Sequence, residues 1–399
     1  MKILFIIIDG LGDKPIPQLK NKTPLEAAFT PNLDSLVKRG ICGLIEPFFF
    51  PWQKNPRSDT AHLALFGYNP RVYYSGRGLY EAVGVGMKMQ KGDVALRTNF
   101  GTVNKNQKII DRRAGRISDT KPLVRALSGI TINGVKFLIS DSLGHRAVLI
   151  LRGKNISEKI GGGDIKKIGI KPQKIISLER SKEAEFTAKV LNQFLEKAHQ
   201  ILVRHPLNKK RKKQKLLPAN YLLVRGPGKL KKTPNFYQKY KLRAACIAAG
   251  HVYKGVAKVL GMDLVKVKGA TGNIDTNLKS KFSAVKRNFK KHDFIFCHIK
   301  ATDILSEDGN FLGKKKFIEK IDKHIKSLIE LRNTLIVVTA DHSTCSQLKR
   351  HCETAIPVLI YGNGQDSVEK FSERACRRGK LGKVKQIHLM SKILKLAKK

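Results

Sequence analysis

The chain has 399 residues, 41% hydrophobic and 27% charged, with 33 Gly and 15 Pro, an ordinary globular composition that excludes a disordered or fibrous chain. Its 78 Lys and Arg against 31 Asp and Glu give a formal net charge of +47, a field that attracts anions of every size, from nucleic acid to a small phosphate ester. The densest basic run, 209–215, holds no aromatic residue on which a base could stack, so the charge reads as a generally basic solvated surface rather than a nucleic-acid site.

The apolar run 3–8 stops at Asp9 and Gly10, as a strand buried on both faces does. It is too short for a signal-peptide core or a membrane span. Thr30 followed by Pro31 starts a helix that Gly40 closes. The segment 55–65, NPRSDTAHLAL, is a loop running into an apolar helix with Ser58 at the junction. From 71 to 240 the texture changes to shorter strands (136–140, 147–151), glycine turns and a long amphipathic helix over 183–204. That stretch is predicted to be an inserted domain, which leaves 1–70 and 241–399 as one discontinuous domain. The α/β texture resumes with a helix around 246–260. Apolar runs at 293–303 and 334–341 again end in aspartate, 357–361 is a fourth strand, and Phe317, Ile318, Ile321, Ile325 and Leu328 mark a helix over 314–331.

Alternating strands and helices predict a mainly parallel α/β sheet, whose ligands bind beyond the carboxyl ends of the strands. Asp9, Asp303 and Asp341 converge there, joined by His342 and His351. Carboxylate oxygen mixed with imidazole nitrogen suits Zn or Mn, singly or as a pair. Asp303 and Glu307, four apart, share one face of a helix or reach one ion from a loop. Ser58 is either an N-cap or a hydroxyl that a neighbouring cation turns into a nucleophile, at a helix N-terminus that favours phosphate. Arg112, Arg113 and Arg116 offer forks for phosphate or carboxylate. The six cysteines form no CxxC pair and no zinc-ribbon spacing, so they read as free thiols in a reducing, cytoplasmic setting. No GxxxxGK[ST], HExxH or GxSxG motif occurs, which disfavours P-loop nucleotidases, zincins and α/β-hydrolases.

The segments MKILFIIIDGLGD, SDTAHLALFGYNP, YYSGRGLYEAVGVG, DRRAGRI, HIKATD and TADHST together resemble the archaeal-type 2,3-bisphosphoglycerate-independent phosphoglycerate mutases of the alkaline phosphatase superfamily, over nearly the whole chain. The resemblance implies reversible conversion of 3-phosphoglycerate and 2-phosphoglycerate through a phosphoserine at Ser58. It also implies two divalent ions (Mn, Mg, Zn or Co) on Asp9, Ser58, Asp303, Asp341, His342 and His351. Substrate contacts are expected at Arg112, Arg113 and Arg116, and further at Asp59, His62, Arg77 and Arg146. Two departures stand out. Glu307 occupies the position of a metal-binding histidine, which favours harder ions such as Mn or Mg, and GGGDIKK at 161–167 replaces an Asp-rich segment ending in Pro-His. These departures motivate two alternatives, a related metal-dependent phosphotransferase or phosphohydrolase and a catalytically lapsed basic binding paralogue.

Overall fold

The computed structural model describes residues 1–398, which separate into two compact units, 1–74 with 233–398 and 75–232. The first is built on an eight-stranded sheet in the order Asp263–Leu264, Ala244–Ile247, Phe294–Ile299, Lys2–Ile8, Thr334–Thr339, Ile356–Tyr361, Gly40–Glu46, Gly382–Lys385. Every neighbouring pair is parallel except the two made by Ile356–Tyr361. Lys2–Ile8 is central, with Ile3 opposite both Phe294 and Leu335. Helices cover both faces of such a sheet, which is why this strand is an unbroken apolar run rather than an alternating one. Ile3 to Ile8 are at most 1% exposed, each such side chain contributing about 1.5–3 kcal/mol of transfer free energy. Phe5 adds edge-on contacts to Phe66 at 6.1 Å and Phe294 at 6.0 Å between centroids.

Phe311–Ile329 is helical, capped by Asn310, and buries Phe317, Ile318, Ile321, Ile325 and Leu328 as its period predicts. Some boundaries differ from expectation. Cys246 lies in the strand Ala244–Ile247, and the helix begins only at His251. Gly40 opens a strand rather than closing a helix. The run 293–303 divides into the strand Phe294–Ile299 and the helix Ala301–Glu307, so Asp303 is delivered from a helix's first turn instead of a strand end. The free-thiol reading fails for two of the six cysteines: Cys345 and Cys352 form a disulfide, with Cα atoms 6.0 Å apart. Their seven-residue separation matches no familiar motif, and only the hairpin between them brings them together. Cys42, Cys246, Cys297 and Cys376 are free and buried.

The second unit holds an antiparallel sheet in the order Tyr221–Lys229, Val94–Val103, Arg146–Arg152, Val135–Asp141, Thr131–Ile132, with Ile109–Asp111 paired to Val94–Val103. The helix Lys182–Arg204 covers one face, where Phe137 stacks on Phe194 at 4.1 Å among Leu96, Leu149, Leu151 and Leu191. The opposite face packs Ala95, Val148 and Ile150 against Ala82 of the helix Arg77–Gly84. Among the described residues no helix is long and apolar enough to cross a membrane.

Two loops of the first unit are tied by buried charge. Lys314 is fully buried and its ammonium donates to Asp13 Oδ2 at 3.0 Å and to the carbonyls of Gly12 and Thr344 at 3.1 and 3.0 Å. Asp13 also accepts from the backbone and hydroxyl of Ser346. A Lys314→Met substitution strands the Asp13 carboxylate in the core and is expected to cost about 3–5 kcal/mol, read as a lower denaturation midpoint in urea; an unchanged midpoint would show the pair to be dispensable.

Candidate active site

Three adjacent parallel strands, Phe294–Ile299, Lys2–Ile8 and Thr334–Thr339, end side by side, and the polar residues follow their last apolar positions. Asp9, Asp303, Asp341 and His342 are at most 2% exposed. Gly10 has φ +65°, and a Cβ there would stand 2.5 Å from Thr344 Oγ1 and 3.0 Å from Asp303; only glycine leaves room for these side chains to meet. His351 arrives on the short ribbon Ser343–Cys345 and Arg350–Cys352, opposite Thr344. Its ring stacks on His342 with centroids 3.6 Å apart.

Ser58 begins the helix Ser58–Leu65; Arg57 occupies the cap position and makes no side-chain cap bond. The Ser58 hydroxyl is therefore not spent on capping and lies 3.2 Å from His342 Nε2. Hydrogen-bond bookkeeping fixes the imidazoles. The Thr344 hydroxyl donates to Asp303 Oδ1 at 2.7 Å, so its oxygen accepts from His342 Nδ1 at 3.2 Å, and His342 Nε2 presents a lone pair. His62 Nδ1 donates to the Ser58 carbonyl at 2.7 Å, so its Nε2 carries a lone pair as well, and His351 Nδ1 donates to the Pro56 carbonyl at 2.8 Å, which turns its Nε2 toward Asp303. Burial pushes the pKa of His342 down to about 3, as it does for His62, and that of His298 down to about 4.

Two groupings of donor atoms result: Asp9, Asp341 and His342, and Asp303, His342 and His351, each within 4.8 Å. His342 Nε2 lies 3.5 Å from Asp9 Oδ1 and 3.2 Å from Asp341 Oδ2, and both oxygens are buried without a hydrogen-bond partner among the described residues. Lone pairs facing lone pairs in a dry site require a cation or a proton. The donor set of carboxylate oxygen and oriented imidazole nitrogen thus fits a divalent metal ion. Glu307 stands at the margin, its Oε1 3.9 Å from His351 Nε2 and its side chain about half exposed. Burial and the neighbouring Asp303 raise its pKa.

The sequence reading missed Lys300, Tyr253, His298 and Thr344. Lys300 Nζ lies 3.2 Å from Asp9 Oδ2 and 2.8 Å from Asp303 Oδ2, and the Tyr253 hydroxyl donates to Asp9. Burial raises the Asp9 carboxyl, but Lys300, His298 and His342 outweigh it and hold the group well below the usual range. Asp341 goes the other way: burial, Asp9 and Asp303 push its pKa well above the ordinary value. Of the expected substrate contacts, Asp59 is fully buried and bonded to Arg57 at 2.9 Å and Tyr74 at 2.7 Å. His62 is also fully buried, 3.7 Å from Asp341 and packed on Tyr253 and His298. Both stand behind Ser58 instead of on an open surface.

The arginines lie in the second unit. Register places Arg97 opposite Arg225 and Asn99 opposite Arg146 on one sheet face. Arg77 Nε is 3.2 Å and Arg97 Nη1 3.6 Å from Glu81 Oε1. Arg112 grips Asp164 with a fork at 2.9 and 2.6 Å, and Arg225 joins the same carboxylate at 2.9 Å. Glu81 and Asp164 thus serve four arginines, Arg77, Arg97, Arg112 and Arg225, with Arg146 on the same sheet face. Burial lowers the pKa of Arg97, the surrounding cations add to the shift, and its Nε has no partner among the described residues. The cluster has the makings of an anion cradle. Arg113 and Arg116 are exposed on the adjoining turn. Arg97 and Arg225 could have been found as charged residues at core-facing positions of apolar strands.

A model of the metalloenzyme superfamily matches residues 1–396. The 2,3-bisphosphoglycerate-independent phosphoglycerate mutase of Methanococcus aeolicus is 43% identical over 100% of this chain and 98% of its own, and one from Archaeoglobus fulgidus is 42% identical over 100% and 99%. Among solved structures, a cofactor-independent phosphoglycerate mutase from Thermoplasma acidophilum superposes with TM-score 0.73 at 35% identity over the full length of both chains. A protein from Pyrococcus horikoshii reaches 0.87 at 32% identity, over 100% of this chain and 97% of its own.

Because burial, Asp9 and Asp303 push the Asp341 carboxyl toward its protonated form, a cation bound there competes with a proton. Adding Mn to metal-stripped protein in weak buffer at pH 6 is expected to release protons as the grouping that contains Asp341 fills, with apparent affinity rising with pH; binding without acidification would contradict the assignment.

Proposed function

The chain belongs to the 2,3-bisphosphoglycerate-independent phosphoglycerate mutases, and on that premise we propose that it interconverts 3-phosphoglycerate and 2-phosphoglycerate through a phosphoryl group carried on Ser58. The observation that carries the reading is the uncapped Ser58 hydroxyl, 3.2 Å from a neutral His342 and next to two groupings of cation donors.

Asp9, Ser58, Asp341 and His342 would hold one divalent ion, and Asp303, His351 and Glu307 a second. When bound, such ions supply positive charge that lowers the pKa of the seryl hydroxyl and neutralises the oxygens of the transferring group. Ser58 attacks phosphorus in line, and the glycerate oxygen leaves. The N-terminal N–H groups of Ser58–Leu65 favour the negative charge that builds there. Asp59, held by Arg57 and Tyr74, and His62, bonded to the Ser58 carbonyl, keep that helix end in place and need not touch the substrate.

A mutase differs from a phosphatase in retaining its alcohol. The glycerate must stay bound, turn, and offer its other hydroxyl to the phosphoserine while water is kept out. In this reading the unit 75–232 is the substrate-orienting one, and Arg77, Arg97, Arg112, Arg146 and Arg225, with Arg113 and Arg116 from the adjoining turn, grip carboxylate and phosphate. Asp164 supports that role. It comes from the divergent GGGDIKK segment and holds Arg112 and Arg225 in one orientation.

An enolase-coupled assay on metal-stripped protein, supplied with Mn, Mg, Zn or Co and no bisphosphoglycerate, should show metal-dependent formation of 2-phosphoglycerate. Ser58→Ala should lower that rate by about 10³-fold or more with the fold intact. Release of free phosphate in place of product would assign a hydrolase, and unchanged turnover in the variant would remove Ser58 from the mechanism. Glu307→His should shift preference toward softer ions, lowering the ratio of Mn- to Zn-supported turnover by about tenfold; an unchanged ratio would place Glu307 outside the metal shell.

A further inference from the structure

The disulfide that the sequence concealed lies on the ribbon that bears His351. Register pairs Ser343 with Cys352, Thr344 with His351 and Cys345 with Arg350. Side chains alternate across a strand, so Thr344 and His351 share one face, and the two cysteines sit diagonally on the other. The first face carries the chemistry, with Thr344 bonded to Asp303 and His342, and His351 stacked on His342. A two-stranded ribbon of three residue pairs is marginal by itself, and the tip that joins the strands, 347–349, is exposed. A slip of one residue would turn His351 to the far face. The cross-link between Cys345 and Cys352 opposes that slip.

We propose that the Cys345–Cys352 cystine is a redox-addressable modification site that clamps the cation grouping Asp303, His342 and His351. Closed, it holds His351 in register with Thr344; opened, it releases the ribbon and weakens cation binding. The inference rests on reading that grouping as a metal site. A small dithiol opens the clamp by thiol–disulfide exchange. Its thiolate attacks the Cys352 sulfur, the S–S bond breaks, and Cys345 leaves as a thiolate that takes up a proton. The second thiol of the reductant then attacks the mixed disulfide, closing the reductant into a cyclic disulfide and freeing Cys352. Two electrons and two protons pass from the dithiol to the cystine. Cys345 and Cys352 are 1% and 6% exposed, so the exchange proceeds through local opening of the ribbon and is slower than at an exposed disulfide.

The test uses the full chain and Mn alone as the probe. Denaturing alkylation without reductant should label four thiols, those of Cys42, Cys246, Cys297 and Cys376, and six after reduction; six in the unreduced protein would remove the clamp outright. Free Mn is then followed by electron paramagnetic resonance in titrations of oxidised protein and of protein reduced with a dithiol and desalted anaerobically. Reduction should weaken binding at one of the two sites by about ten- to a hundredfold, the range seen when a group supporting a metal-binding side chain is lost, and reoxidation should restore it. The variant Cys345→Ser with Cys352→Ser should bind as weakly as reduced protein and ignore the dithiol, and the wild-type comparison stands if that variant fails to fold. Equal affinity in both redox states would overturn the clamp alone, whereas no Mn binding in either state would overturn the metal reading and the clamp with it.

Discussion

The first unit is organised around an electrostatic excess that its own side chains balance only in part. Asp9, Asp303 and Asp341 are buried at the ends of three neighbouring parallel strands and the helix that follows one of them. In that low-dielectric setting like charges raise one another's pKa sharply. Lys300 offsets one charge by bridging Asp9 and Asp303, which leaves Asp341 as the group driven toward its neutral form. Burial pushes His62, His298 and His342 toward their neutral forms, so Lys300 is the main counter-charge. What His62 and His342 add is lone pairs, each aimed by a hydrogen bond at the other ring nitrogen. Gly10 makes the approach possible, and the buried Asp13–Lys314–Ser346 network fixes the two loops that approach.

The second unit carries the opposite excess. Arginines at facing positions of adjacent strands share the carboxylates Glu81 and Asp164. A buried guanidinium is tolerated when its forks are filled; here Arg97 Nε has no partner among the described residues. The two units therefore make complementary demands, one for cations and the other for an anion.

Much of this was legible in the sequence because it depends on local pattern. The apolar run ending at Asp9, the period of the helix Phe311–Ile329 and the pairing of Asp341 with His342 are consequences of burial on one or both faces of an element. The rest depends on register and direction, which one chain does not write locally. Arg97 and Arg225 face one another only through an antiparallel pairing across more than a hundred residues of sequence. The Cys345–Cys352 bridge needs a hairpin whose strands are three residues each, shorter than any periodicity can signal. Lys300 lies inside the run 293–303 with no local signal of its own, and its place between two carboxylates follows from where the strand Phe294–Ile299 stops.

Glu307 bears on how such a site tolerates one more negative group. The chain's +47 charge is not the answer, because exposed cations farther away than the Debye length of about 8 Å at physiological ionic strength contribute little. Compensation has to be local. Glu307 lies at the half-exposed margin beside His351 rather than in the buried centre, so water bears part of its solvation. Its raised pKa, from burial and from Asp303, means that the carboxylate form gains from a cation placed between the two groups. Where a neutral imidazole gives a site a lone pair without charge, a carboxylate gives it both. A carboxylate at that margin therefore pulls harder on hard ions than an imidazole would and offers less to soft ones.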